Sequence, residues 1–153
     1  MTIATTTRVD RDDLDAFLAD RRRLVLNTWR SDGRPQMSPV IGALGTDGRL
    51  LISSYPTRAK TRNLQRDPDC AVLVLGEDFD DPWVQLYGTA AVLTGEAGVE
   101  ALVDYYRAAA GEHDDWEEYR QAMRARDKVC IAITITGWGP LATGGLPPEF
   151  ADS

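Results

Sequence analysis

Ser53 and Ser54 close an apolar stretch, Tyr55-Pro56-Thr57 turns the chain, and Arg58-Ala59-Lys60-Thr61-Arg62-Asn63 opens a polar segment with helical character. Hydroxyls and three cations at the start of a helix suit an anion, above all a phosphate. The first helical turn presents N–H groups without intrahelical partners and the positive end of the backbone dipole. Arg58 and Lys60 fall in that turn, and Ser53, Ser54 and Thr61 offer hydroxyls. Arg58 and Arg62 share a helix face that Lys60 does not. All three therefore reach one anion only if it sits off the helix end. Taken alone, the same residues also read as a solvated basic helix pairing with nearby acids.

Other chemistries lack their residues. The single histidine, His113, lies in a polar loop and reads as a solvated or capping residue, so no catalytic triad forms. There is no P-loop and no GxGxxG, which argues against nucleotide binding by a Rossmann unit. Acidic clusters at Asp78, Asp80, Asp81 and at Asp114, Asp115, Glu117, Glu118 read as solvated faces or helix N-terminal charges. The two cysteines, Cys70 and Cys130, sit in apolar runs without metal-ligand spacing. They read as buried reduced thiols, and a reducing, cytoplasmic compartment is the corresponding expectation. A net charge of −7 and a pI near 4.7 argue against nucleic acid and anionic membrane surfaces as partners. No apolar run approaches the roughly 20 residues of a membrane span, and residues 1–10 lack the apolar core of a signal peptide.

The elements that must position the basic segment follow from hydrophobic period and turn chemistry. The 153 residues, 43% apolar and 27% charged, fit one globular domain. Leu14, Phe17 and Leu18 mark a helix over 11–20. Strands are expected over 24–30, 36–44 and 49–54, joined by the hairpin signals Asp32-Gly33 and Asp47-Gly48. Pro39 implies an edge, a bulge or a ladder position that needs no N–H. The helix over 58–66 is expected to start at an N-cap Thr57 and to stop at Asp67-Pro68. The run CAVLVL at 70–75 reads as a strand buried on both faces, and 83–93 as a long strand bent or bulged at Gly88. Two helices follow, one facing inward with Val99, Leu102, Val103 and Tyr106, the other with Trp116, Tyr119 and Met123. A last strand spans 128–136. Residues 1–10 are expected to be a flexible lead-in, 11–137 the domain, and 138–153 an irregular tail. About six antiparallel strands with peripheral helices suggest a closed or partly closed barrel, with a sandwich as the alternative.

The string RAKTRNLQRDP after a strand ending in Ser-Ser resembles the phosphate-binding segment of the pyridoxamine 5'-phosphate oxidase-like proteins. The hairpin DGRPQMSPV resembles the same family, and GEHDDWEEYRQAM resembles its coenzyme F420-dependent branch. The likeness runs from about residue 14 to 135. It implies a mainly β fold with peripheral helices, a six-stranded antiparallel split β-barrel, and a homodimer with cofactor sites at the interface. It also implies that Ser54, Arg58 and Lys60 hold the cofactor phosphate, with Ser53, Thr61 and Asn63 of the same segment as further cofactor-binding residues. Gln36, Ser38, Pro39 and Val40 would lie along the ring system, and Trp83 and Gln85 would approach from the partner subunit. Core or interface packing is an equal reading for Trp83. The implied activity is hydride transfer from reduced F420 to a small electron-poor acceptor such as a biliverdin-like tetrapyrrole, a quinone or a nitroaromatic. An FMN-dependent oxidoreductase and a non-catalytic F420 or FMN carrier are the alternatives. Arg21, Arg22 and Arg23 could meet a polyglutamyl tail or simply form a solvated helix end. The tail, with no cation after Lys128, departs from the pyridoxal phosphate-binding segment of the oxidase itself. A lone loop histidine argues against haem chemistry.

Overall fold

The computed structural model describes residues 2–151. Its strands are β1 (Thr5–Thr7), β2 (Arg23–Trp29), β3 (Pro35–Leu44), β4 (Leu50–Ser54), β5 (Asp69–Leu75), β6 (Val84–Leu93), β7 (Val129–Trp138) and β8 (Leu141–Thr143). The helices are α1 (Arg11–Leu18), α2 (Ala59–Arg66), α3 (Gly95–Ala110) and α4 (Trp116–Ala125). Strands β2-β3-β4-β7-β6-β5 close an antiparallel barrel. The fold is mainly β with four peripheral helices, as expected. No helix among the described residues is long and apolar enough to cross a membrane.

Both hairpins form where Asp-Gly signalled them, and Gly33 and Gly48 adopt the positive φ that such turns require. Strand β3 divides its pairing. It runs beside β2 over Pro35 to Ile41 and beside β4 only over Gly42 to Leu44. Over its first seven residues the second edge of β3 is therefore unpaired by β4. The Gly42 N–H donates to Arg22 O at 3.0 Å. Alternation from that point turns Met37, Pro39 and Ile41 away from β2, so Pro39 occupies a position where no N–H is required. In β6 the register shifts between Tyr87 and Gly88. A Cβ at Gly88 would lie 2.5 Å from Ile133 and 2.6 Å from the Thr134 carbonyl, so the bulge needs glycine.

Period-2 side chains fill the barrel. Leu24, Leu26, Leu50, Ile52, Val72, Val74, Leu86, Ile131 and Ile133 are buried, and Leu14 and Leu18 of α1 and Leu64 of α2 join them. Each such side chain stabilises the fold by about 1.5–3 kcal/mol relative to exposure. A second cluster lies outside the barrel wall. Leu51, Cys130 and Ala132 of β4 and β7 are covered by Val99, Leu102 and Val103 of α3 and by Tyr119 and Met123 of α4. Both cysteines are buried and free, and desolvation pushes each thiol up to about 12.

Three local expectations are corrected. The run CAVLVL alternates between buried and half-buried, its outward residues Ala71, Leu73 and Leu75 being only partly covered among the described residues. The residue at the α2 N-cap is Arg58, not Thr57: Arg58 N–H closes a turn onto Tyr55 O at 3.2 Å and shifts the helix start by one. The tail is not irregular throughout, since β8 pairs with β1 of the lead-in, Thr5 opposite Thr143 and Thr7 opposite Leu141. Trp138 Nε1 also donates to Val9 O at 2.9 Å.

Candidate functional site

A cleft of about 420 Å³ opens where the free edge of β3 meets the end of β4. Pro39, Val40 and Ile41 form one wall; Ser53, Ser54 and Tyr55 form the next. Arg58 and Lys60 enter from the start of α2, Lys128 from the residue before β7, and Tyr105, Tyr106, Tyr119 and Met123 from α3 and α4.

No carboxylate lines this cleft. None of Arg58, Lys60 and Lys128 forms an ion pair among the described residues, although the chain carries 24 acids against 17 cations. Burial, and secondarily the Arg58 charge, hold the Lys60 ammonium below its usual pKa. An anion in the cleft would offset both causes. Lys128 Nζ donates to Ser53 Oγ at 2.8 Å and lies 4.9 Å from the centre of the Tyr55 ring. The Arg58 guanidinium lies 6.0 Å from the same ring. No side chain caps α2, so its first N–H groups remain unclaimed by side chains.

The sequence-predicted residues separate into three groups. Pro39, Val40, Ser53, Ser54, Arg58 and Lys60 line the cleft together. Thr61 and Asn63 do not, because they anchor α2 from beneath. Thr61 Oγ1 and Ser54 Oγ share a buried hydrogen bond of 2.8 Å, and Asn63 Nδ2 donates to Thr28 Oγ1 at 3.0 Å. Gln36 and Ser38 also lie off the lining. Strand alternation puts them on the barrel side of β3, where Gln36 accepts from Thr28 at 3.2 Å and the enclosed Ser38 hydroxyl has no partner. Arg62 is not among the residues that line the cleft, whereas Arg58 and Lys60 both are. Trp83, just before β6, and Gln85, on the outer face of β6, sit apart from the cleft. There they line a cavity of about 700 Å³ with Val25, Leu73, Leu75 and Phe79. Arg21, Arg22 and Arg23 are engaged elsewhere: Arg21 donates to Pro82 O, Arg22 to Ala108 O and Arg23 to Glu77 O.

The residues that sequence reading missed are Tyr55, Ile41, Lys128 and the tyrosines of the helices. Ser54 pairs with Val129, which brings Lys128 beside Tyr55. Only the strand register carries that signal. His113 is half-buried rather than solvated, its Nδ1 accepting from the Asp115 N–H at 2.9 Å and its ring 5.2 Å from Tyr106. Tyr105 OH contacts Ile41 O at 3.5 Å, and burial raises the Tyr105 pKa, which keeps the phenol protonated.

The family described as pyridoxamine 5'-phosphate oxidase matches residues 11–142. A conserved hypothetical protein from Mycobacterium tuberculosis has a similar structure, with a TM-score of 0.72 at 21% identity over 90% of this chain and 89% of its own. An F420 reductase aligns at 0.60 and 22% identity, over 82% of this chain and 94% of its own. A FAD-binding protein from Mesorhizobium loti aligns at 0.62 and 18% identity, over 93% and 98%. At these identities the structural likeness is one of fold.

Proposed function

Since the chain belongs to the pyridoxamine 5'-phosphate oxidase family, we propose that it is an oxidoreductase holding a phosphate-bearing tricyclic cofactor in the cationic cleft, and that this cofactor is coenzyme F420. The observation that carries the reading is the convergence of Arg58, Lys60 and Lys128 on one cleft without an opposing carboxylate. The residues present fit such a group: uncompensated cations, a hydroxyl pair, and a strand edge with free backbone groups. Arg58 and Lys60 bind the phosphate, and Ser54, fixed by Thr61, supports it. The ring lies along β3, where alternation leaves the Met37 and Ile41 N–H groups on the unpaired edge for polar ring atoms.

Bound in its reduced form, the deazaflavin would supply a hydride to an electron-poor acceptor and be left oxidised, a reactivity that belongs to the cofactor. The chain orients the ring and keeps water from one face with Pro39 and Val40. A quinone, a nitroaromatic or a biliverdin-like tetrapyrrole is the acceptor class. Support for F420 over FMN comes from the segment GEHDDWEEYRQAM, whose helix delivers Tyr119 and Met123 to the cleft. The FAD-binding neighbour keeps a flavin as the second reading. The protein acts as a homodimer in a reducing, cytoplasmic compartment. The half-exposed apolar outer face of β2, β5 and β6 is the interface, and through it Trp83 and Gln85 reach the partner's cofactor.

Fluorescence titration with F420 and FMN side by side tests this assignment. Tight F420 binding with weak FMN binding upholds it, the reverse moves the protein to flavin, and binding of neither removes the redox reading. Turnover with the three acceptor classes separates an enzyme from a carrier. Lys60→Ala is expected to weaken cofactor binding by about 1.5–3 kcal/mol, the worth of one charge-assisted contact.

A further inference from the structure

Lysine is rare in this chain. Of its 17 cations only two are lysines, Lys60 and Lys128, and the fold brings both into the same cleft from positions far apart in sequence. The segment that places Lys128 is built with care. Helix α4 ends in a Schellman arrangement, in which Asp127 N–H donates to Arg124 O and Lys128 N–H to Met123 O, both at 3.1 Å. The residue that must take the left-handed conformation there is usually glycine; here it is Asp127, at φ 52°. The backbone of Lys128 is thus fixed by the helix end, and β7 begins immediately after it. The side chain is fixed as well, by Ser53 Oγ at 2.8 Å and the Tyr55 ring at 4.9 Å. Neither contact neutralises the ammonium, and a cation held over an aromatic face keeps its charge available to a third group.

A single phosphodiester carries one negative charge, which Arg58 and Lys60 already exceed. A third uncompensated cation 2.8 Å from Ser53 therefore makes sense against a ligand with at least two negative charges. We infer that Lys128 is a ligand-binding and specificity-determining residue, selecting a cofactor that presents a second anionic charge beside the one held by Arg58 and Lys60. This assignment rests on the cleft being the cofactor site and adds to it a residue outside the basic helix segment.

Two measurements test it. The first is amine acetylation with mass-spectrometric readout, made with and without F420, FMN and riboflavin. Riboflavin carries the flavin ring and no phosphate. Protection of both Lys60 and Lys128 by a phosphate-bearing cofactor, and of neither by riboflavin, is the expected result. Protection of Lys60 alone would overturn the role of Lys128 and leave the cofactor site standing; protection of neither lysine would overturn both. The second is Lys128→Met, which keeps the aliphatic stem. It is expected to weaken binding of the protecting cofactor roughly 10- to 100-fold, in a salt-dependent manner, with riboflavin binding unchanged. Lys128→Arg should restore most of the affinity. An equal loss for riboflavin would mark Lys128 as a structural strut and sink the inference.

Discussion

The two outer faces of the barrel are built from the same kind of strand and end in different environments. On β4 and β7 the outward residues Leu51, Cys130 and Ala132 lie fully buried beneath α3 and α4. On β2 and β5 the outward residues Val25, Ala71 and Leu73 are as apolar, yet they remain half-buried, flanked by exposed Met37 of β3 and Tyr87 of β6. A cavity of about 720 Å³ runs across that second face. Within it the Asn27 Oδ1 is enclosed without a hydrogen-bond partner. An apolar face with an orphaned polar atom is a surface that wants a partner, and a second copy placed there would complete what α3 and α4 complete on the other side. The cleft lies at the seam between the two faces, with β3 contributing from one and β4 and Lys128 from the other.

The largest effect that would break this contrast is a cavity under the helices. Leu102→Ala removes a side chain with no exposed surface and is expected to cost about 2–5 kcal/mol in thermal or denaturant unfolding. Leu73→Ala should cost less in the isolated chain. If the outer face is an interface, its cost grows with protein concentration, because assembly and stability are then linked. Leu73→Asp sharpens the point. A carboxylate facing its own symmetry mate should weaken the dimer by ~2 kcal/mol or more while the barrel stays folded. Analytical ultracentrifugation that finds the same oligomer for wild type and Leu73→Asp would remove the interface from this face.

Sequence pattern identified the local elements more readily than what covers them, for a physical reason. Period-2 alternation and Asp-Gly turns are local, so the strands, both hairpins and the Gly88 bulge were legible. Burial of an outer face depends on what lies over it, so CAVLVL read as buried on both faces although its outward residues are only half-buried. The β1–β8 pair was illegible because Thr5, Thr6 and Thr7 are exposed and carry no apolar alternation. Within the cleft, Arg58 and Lys60 announced themselves through one short segment. Lys128 did not, because its place depends on the register of β7 against β4, a pairing between residues remote in sequence. Thr61 and Asn63 looked like ligand contacts because their residue types suit a phosphate. Their burial assigns them instead to holding α2.

That role makes α2 the hinge of the comparison. Thr61 ties it to β4 on the covered side through Ser54, and Asn63 ties it to β2 on the other side through Thr28. Thr61→Val keeps the shape and strands the Ser54 hydroxyl, which is only 4% exposed. The expected cost is about 1–3 kcal/mol of stability. Cofactor affinity should fall with it, since Ser54 loses its fixed orientation. Loss of stability with unchanged affinity would confine Thr61 to the fold and remove Ser54 from the ligand's surroundings.

The smallest effect is the most specific to the seam. In the free protein the Lys60 pKa lies below its ordinary 10.5, first through burial and then through Arg58. Lowered in the folded state, it makes the unfolded chain bind more protons in the window between the two values, so this group's contribution to stability rises with pH there. Anion binding has the opposite sign. A phosphate favours the ammonium, raises the Lys60 pKa in the complex, and so binds with uptake of a proton. Cofactor affinity should therefore hold steady near neutrality and decline as pH climbs through the free-protein value, by at most about tenfold per pH unit for one linked proton. Lys60→Arg keeps its charge throughout this range, and its affinity should be flat where the wild type falls. A wild-type profile as flat as that of the arginine variant would mean that the anion does not meet Lys60, and would detach the phosphate from the start of α2.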